Sequence, residues 1–127
     1  MKLLLRRNQK YGTFSSKITF TLDVRAEITE AEKAAIKKYK LEDEVLYSRD
    51  KFPQMDGSVV KNYGKFLMFK MTNLSLHVKD LAEGKTIDCK DILEMQAIEE
   101  QVKTAAQNLK GILETATNFV GEEVIEI

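Results

Sequence analysis

The sequence predicts an α+β fold, a mostly antiparallel sheet of five or six strands packed by one long C-terminal amphipathic helix (about 89–119) plus a short helix (about 30–39). Three observations carry that expectation. Residues 17–26 alternate apolar and polar side chains with a period of two. Residues 89–119 gather their apolar side chains on one arc at the helical period. Between them lie short apolar runs punctuated by turn residues, the pattern of strands in a two-layer domain.

The first strand pair comes from the N-terminal third. In "KITFTLDVRA", Ile18, Phe20, Leu22, Val24 and Ala26 alternate with Lys17, Thr19, Thr21, Asp23 and Arg25, so one face packs on a core and the other meets water. The preceding "KLLLR" is its expected hairpin partner, joined through residues 8–16, which hold Gly12 and two serines. "ITEAEKAAIKKYK" follows. Thr29 and Glu32 are spaced as a capping box, and Lys37, Lys38 and Lys40 fall at the end where the helix dipole favours cations.

"EVLYS" reads as a strand, and "KFPQMDGSVV" carries Pro53 and an Asp56–Gly57 pair suited to a tight turn. From 65 to 79 the sequence is strand-like with a change of phase. Phe66 to Phe69 is apolar on both faces, whereas Leu74, Leu76 and Val78 alternate with Ser75, His77 and Lys79. "DLAEGK" is expected to turn the chain into a short strand, "TID", making a hairpin with its tip at Glu83–Gly84.

The long helix is the dominant element. Met95, Ile98, Val102, Ala105, Ala106, Leu109, Ile112, Leu113 and Ala116 share roughly 120° of arc, and Gln96, Glu100, Thr104, Gln107, Glu114 and Asn118 lie opposite. Gly111 falls on the polar side. "EEVIEI" closes the chain as an expected terminal strand.

Composition narrows the function classes. The 127 residues are 43% hydrophobic and 31% charged with zero formal net charge, which suits one domain, residues 1–127, without global bias toward nucleic acid or membranes. "MKLLLRRNQK" has an apolar run too short for a signal peptide, and nothing approaches the ~20 apolar residues of a membrane span. A lone cysteine cannot form an internal disulfide. The expected location is therefore the cytoplasm.

Cys89 and His77, the only residues of their types, are the weak catalytic candidates. Asp88 as N-cap would set Cys89 at the first helical position, where the dipole and Lys90 lower a thiol's pKa. The hairpin register would bring Val78 opposite Cys89 and His77 beside it, the minimum for thiol catalysis. Against this, no Gly-rich oxyanion loop or third member accompanies them, and a covered cysteine is a small hydrophobe. No metal site or cofactor is expected, since one His and one Cys make an uncommon zinc set. The acidic pairs Asp43–Glu44 and Glu99–Glu100 resemble solvated helix and turn positions. Phosphate-binding Gly motifs are absent from the sequence.

Charge is unevenly distributed. Lys2, Arg6, Arg7, Lys10 and Lys17 fall in residues 1–22 without an acid, and Glu114, Glu122, Glu123 and Glu126 fall in 111–127 without a base. Lys2, Arg6, Arg7 and Lys10 with Tyr11 and Phe14 form a candidate single-strand nucleic-acid site, combining phosphate contacts with stacking. The simpler account pairs the basic first strand with the acidic last one, Arg6 or Arg7 against Glu122 or Glu126. Finally, Leu4, Phe66, Met68, Leu93 and Cys89 exceed what a two-layer domain buries. The first four are the candidate interaction residues.

Together these features predict a non-enzymatic cytoplasmic protein–protein interaction or structural module that self-associates as a homodimer or small oligomer. The alternatives are a nucleic-acid binder using the basic hairpin, and a small thiol enzyme or redox sensor built on Cys89 and His77.

Overall fold

A computed structural model describes residues 1–12, 17–48, 74–119 and 124–127. The elements in chain order are β1 (Lys2–Tyr11), β2 (Ile18–Glu27), α1 (Glu30–Lys38), β3 (Val45–Tyr47), β4 (Leu76–His77), α2 (Val78–Glu83), β5 (Lys85–Cys89) and α3 (Ile92–Thr117). The α+β class and the antiparallel pairing follow the expectation. The strand count does not: among the described residues the strands form a three-stranded sheet of order β1-β2-β5 and a separate two-stranded sheet β3-β4, rather than one sheet of five or six.

β1 and β2 form a long hairpin in unbroken register, from Lys2 opposite Glu27 to Tyr11 opposite Ile18. The period-two pattern of β2 sets the two faces. Leu22, Val24 and Ala26 are buried on the inward face, while Arg25 and Glu27 are exposed on the outward face. Directly paired residues share a face. Leu3, Leu5 and Arg7 therefore point inward, and Lys2, Leu4, Arg6, Asn8 and Lys10 point outward. On the other side of β2, Ile87 opposes Leu22 and Cys89 opposes Phe20.

α1 begins with the expected capping box. The Glu32 amide donates to Thr29 Oγ1 at 3.1 Å, and the Thr29 amide donates to Glu32 Oε1 at 2.9 Å. The expected hairpin at 76–89 is replaced by β4, a helical turn and β5. Val78 and Leu81 are both fully buried at a spacing of three, a helical period that "VKDLAE" satisfies better than a strand. The His77 amide donates to Asp80 Oδ2 at 2.8 Å, securing the start of the turn. Gly84, with φ +99°, ends it in a conformation that other residues rarely adopt. β5 is then free to pair with β2.

α3 forms the ridge that the periodicity predicts. Met95, Ile98, Val102, Ala105, Ala106, Leu109 and Leu113 are buried, and Ile112 and Ala116 are half-buried. The helix starts at Ile92, later than the expected 89. Asp91 is the cap, its Oδ1 accepting from the Glu94 amide at 2.8 Å. Burying each large apolar residue of this ridge stabilises the fold by about 1.5–3 kcal/mol. They join Leu22, Val24, Leu46, Leu76 and Leu81 in one core cluster.

The expected terminal strand is absent where the chain is described. Residues 124–127 carry no regular structure, with Val124 at 82% and Ile125 at 70% exposure. The turn at Pro53 and Asp56–Gly57, the run around Phe66 and Met68, and Phe14 lie outside the described residues.

Candidate interaction surface

Among the described residues β1 is an edge strand. It pairs with β2 on one side, and among the described residues no strand pairs with the other. Such an edge presents a row of backbone N–H and C=O groups ready to extend the sheet. The strand alternates along both faces. Outward, Leu4 is 39% exposed between exposed Lys2 and Arg6, the only apolar side chain on the described outward face of this sheet. Inward, Leu3 and Leu5 pack against the core cluster and hold the start of the strand in place.

Register and ion pairs neutralise much of the basic array. Lys2 faces Glu27 and Arg6 faces Asp23 across the hairpin. Asp23 in turn accepts from Thr86 Oγ1 at 2.5 Å and from Asn8 Nδ2 at 3.0 Å. Those two donors hold its carboxyl below the usual carboxylate range, Thr86 contributing most. Arg7 turns inward and meets Glu99 of α3 through two hydrogen bonds, Nε to Oε1 at 2.5 Å and Nη2 to Oε2 at 3.0 Å. The Glu99 carboxylate, by hydrogen bonding and then by charge, raises the Arg7 pKa. Glu99 is 5% exposed, so the expectation of a solvated Glu99–Glu100 pair is corrected for its first member. Among the described residues Asp23 stands opposite Arg6 and Glu99 is bonded to Arg7, in place of the expected Glu126; Glu122, the other expected partner, lies outside the described residues.

The nucleic-acid candidates are consequently split between faces. Lys2, Arg6 and Lys10 point outward, whereas Arg7 and Tyr11 lie on the inward side, Tyr11 at 68% exposure beyond the part of the sheet that the core covers. The interaction candidates Leu4 and Leu93 are also separated. Leu93 is 48% exposed in the first turn of α3, which packs on the inward face, while Leu4 points outward.

Cys89 is not at a helix start. It ends β5 on the inward face, buried beside the core, with its Sγ 3.6 Å from the Ile87 carbonyl oxygen. Burial, followed by the charges of Glu94, Asp88, Glu99 and Asp91, pushes its thiol up to about 11. This is the opposite of the activation expected at a helix N-terminus. His77 belongs to β4, in the other sheet, so the hairpin register that would set it beside the thiol does not form. Its Nδ1 lies 3.4 Å from Asp80 Oδ2. Among the described residues no group of His, Cys, Asp and Glu is placed to hold a metal ion, and no helix is long and apolar enough to cross a membrane.

One surface feature is not evident from the sequence. A groove of about 620 Å³ opens beside the last turns of α3, between that helix and the segment linking α1 to β3. Its lining includes Tyr39, Leu41, Val45, Ile112, Ala116 and Phe119. Phe119 meets the Tyr39 ring edge-on with centroids 5.9 Å apart, and Asn108 Nδ2 donates to the Leu46 carbonyl at 2.8 Å, tying β3 to the helix. The half-burial of Ile112 and Ala116 marks where the buried ridge becomes a groove wall. Helical periodicity alone assigns both to the core.

Comparison with protein-family models, with curated proteins and with solved structures finds no match for this chain.

Proposed function

We propose that this protein is a non-enzymatic interaction module of the cytoplasm that associates with itself through the edge of its three-stranded sheet. The observation supporting this reading is β1, a ten-residue edge strand without a second partner among the described residues, carrying exposed Leu4 in the middle of its polar face. Long edges promote strand pairing between chains, and natural sheets normally cover or blunt them. The cytoplasmic assignment rests on the single cysteine. The raised pKa and burial of Cys89 count against thiol chemistry, and the division of the basic residues between two faces counts against a continuous phosphate track. Sedimentation equilibrium from low to high micromolar protein tests the proposal. A concentration-dependent dimer supports it, and a strictly monomeric species throughout the range overturns it. The nucleic-acid reading predicts single-strand binding that weakens steeply with salt and is lost on neutralising Arg6 and Arg7.

A further inference from the structure

We infer that the open edge of β1 is completed by residues Val124–Ile127 of a second copy of this chain, antiparallel to β1 with Val124 opposite Leu4. The inference rests on the self-association proposed above and names the segment that provides it.

Charge selects the occupant. β1 holds Lys2, Arg6, Arg7 and Lys10 and no acid. Pairing β1 with another β1 offers no opposite-charge pair in any register and sets cation against cation in most. A strand that carries carboxylates supplies the missing charge pairs. Residues 124–127 hold Glu126 with no base, and Val124, Ile125 and Ile127 are β-branched residues suited to a strand.

Pattern selects the register. Along its outward face β1 reads Lys2, Leu4, Arg6, a base, an apolar residue and a base. In sequence, Val124 and Glu126 match Leu4 and Lys2 at that spacing, apolar to apolar and acid to base. With Val124 opposite Leu4 in antiparallel pairing, Glu126 faces Lys2 on the outward side and Ile125 faces Leu3 on the inward side. A slip of one residue reverses every face and sets Glu126 against an apolar neighbour. The chosen register also covers the apolar surface that each partner exposes, Leu4 at 39%, Val124 at 82% and Ile125 at 70%.

Position selects the second copy. Within one chain these residues stand exposed and without regular structure, and among the described residues β1 pairs only with β2. Two copies can each lend the segment to the other, and such reciprocal exchange closes a two-fold dimer.

The test uses the full chain in sedimentation equilibrium, with thermal melts as the control for folding. Successive N–H groups of a strand point to opposite edges, so the double replacement Val124→Pro/Ile125→Pro removes the donor aimed at β1 whichever residue carries it. The wild type is expected to dimerise, and the double variant to be monomeric with an unchanged melt. Lys2→Glu is expected to raise the dissociation constant at least about tenfold, and Lys2→Glu with Glu126→Lys to restore it. If the proline and Lys2→Glu variants associate as the wild type does, the inference is overturned while self-association through another surface stands. A wild type that stays monomeric overturns both.

Discussion

Gly111 offers the most direct test of α3 as one continuous helix. It lies six residues before the last helical position, Thr117, where glycine costs conformational entropy without supplying a side chain to pack. Among the described residues, a Cβ built at this position meets no atom within 4 Å other than its chain neighbours and its own helix's backbone, because the residue borders the open groove rather than the core. Gly111→Ala therefore incurs no steric penalty and recovers the propensity difference, a gain of about 0.5–1 kcal/mol. At an unfolding entropy of about 2.1 cal/mol/K per residue, a chain of this length converts that gain into a Tm increase of about 2–4 °C. Thermal denaturation followed by far-ultraviolet circular dichroism measures it, and urea denaturation with an unchanged slope checks that the unfolding transition is the same. A Tm that stays constant or falls would refute the reasoning. It would mean that the helix is interrupted near 111, or that a neighbour occupies the space beside it.

Three further outcomes follow from the same structure. Leu109→Ala, at a fully buried position two residues earlier on the opposite side of the helix, should destabilise by about 2–5 kcal/mol in urea denaturation, and a loss below 1 kcal/mol would deny the ridge its place in the core. Native Cys89 should alkylate with a rate midpoint near pH 11; because its pKa rises from 9.0 to about 11 on folding, the folded state binds the extra proton between those values, so stability should fall as pH rises from about 9 to about 11, and Cys89→Ala should flatten that slope in denaturation melts. The depressed Asp23 pKa contributes stability that is present above the unfolded value near 4 and lost as pH falls through the folded one; Thr86→Val should move the Asp23 midpoint upward in a carboxyl-detected NMR titration, and an unmoved midpoint would deny Thr86 its leading part.

Local signals were legible where one period dominates a long run. β2 and the ridge of α3 follow directly from their apolar spacing, and α1 follows from Thr29 and Glu32. The segment 76–91 departs from the hairpin its alternation predicts because two periods coexist there. Leu74, Leu76 and Val78 alternate like a strand and are all buried, yet Val78 and Leu81 also share a helical spacing, and Asp80 supplies the hydrogen bond that starts the turn. That choice moved the partner of β5 from a neighbouring hairpin strand to β2, and with it separated His77 from Cys89. Charge partners were illegible for a different reason. The asymmetry between the two ends of the sequence is real, but Arg7 finds Glu99, 92 residues away in sequence, because strand alternation turns Arg7 inward under the helix. No local pattern reports that crossing. The same holds for the groove, which arises where α3 leaves the segment between α1 and β3.

The inward face of β1 explains why its edge is suited to receive another strand. Leu3 and Leu5 are anchored in the core, Arg7 is fastened to Glu99, and Gln9 and Tyr11 are exposed beyond it. The half of β1 carrying Lys2, Leu4 and Arg6 is thus held rigid from beneath, and pairing there orders little on the β1 side. The ordering cost falls on Val124–Ile127, which is exposed and without regular structure before association. Four residues that must be fixed for a few ladder hydrogen bonds and two apolar pairs give modest affinity per exchange, and the reciprocal exchange in a closed dimer joins the two contacts so that the second forms at high effective concentration. A dimer built this way responds sharply to changes in the lent segment and weakly to changes elsewhere on the sheet. That asymmetry distinguishes strand exchange from association through a preformed apolar face, which should instead be most sensitive to substitutions in its rigid centre.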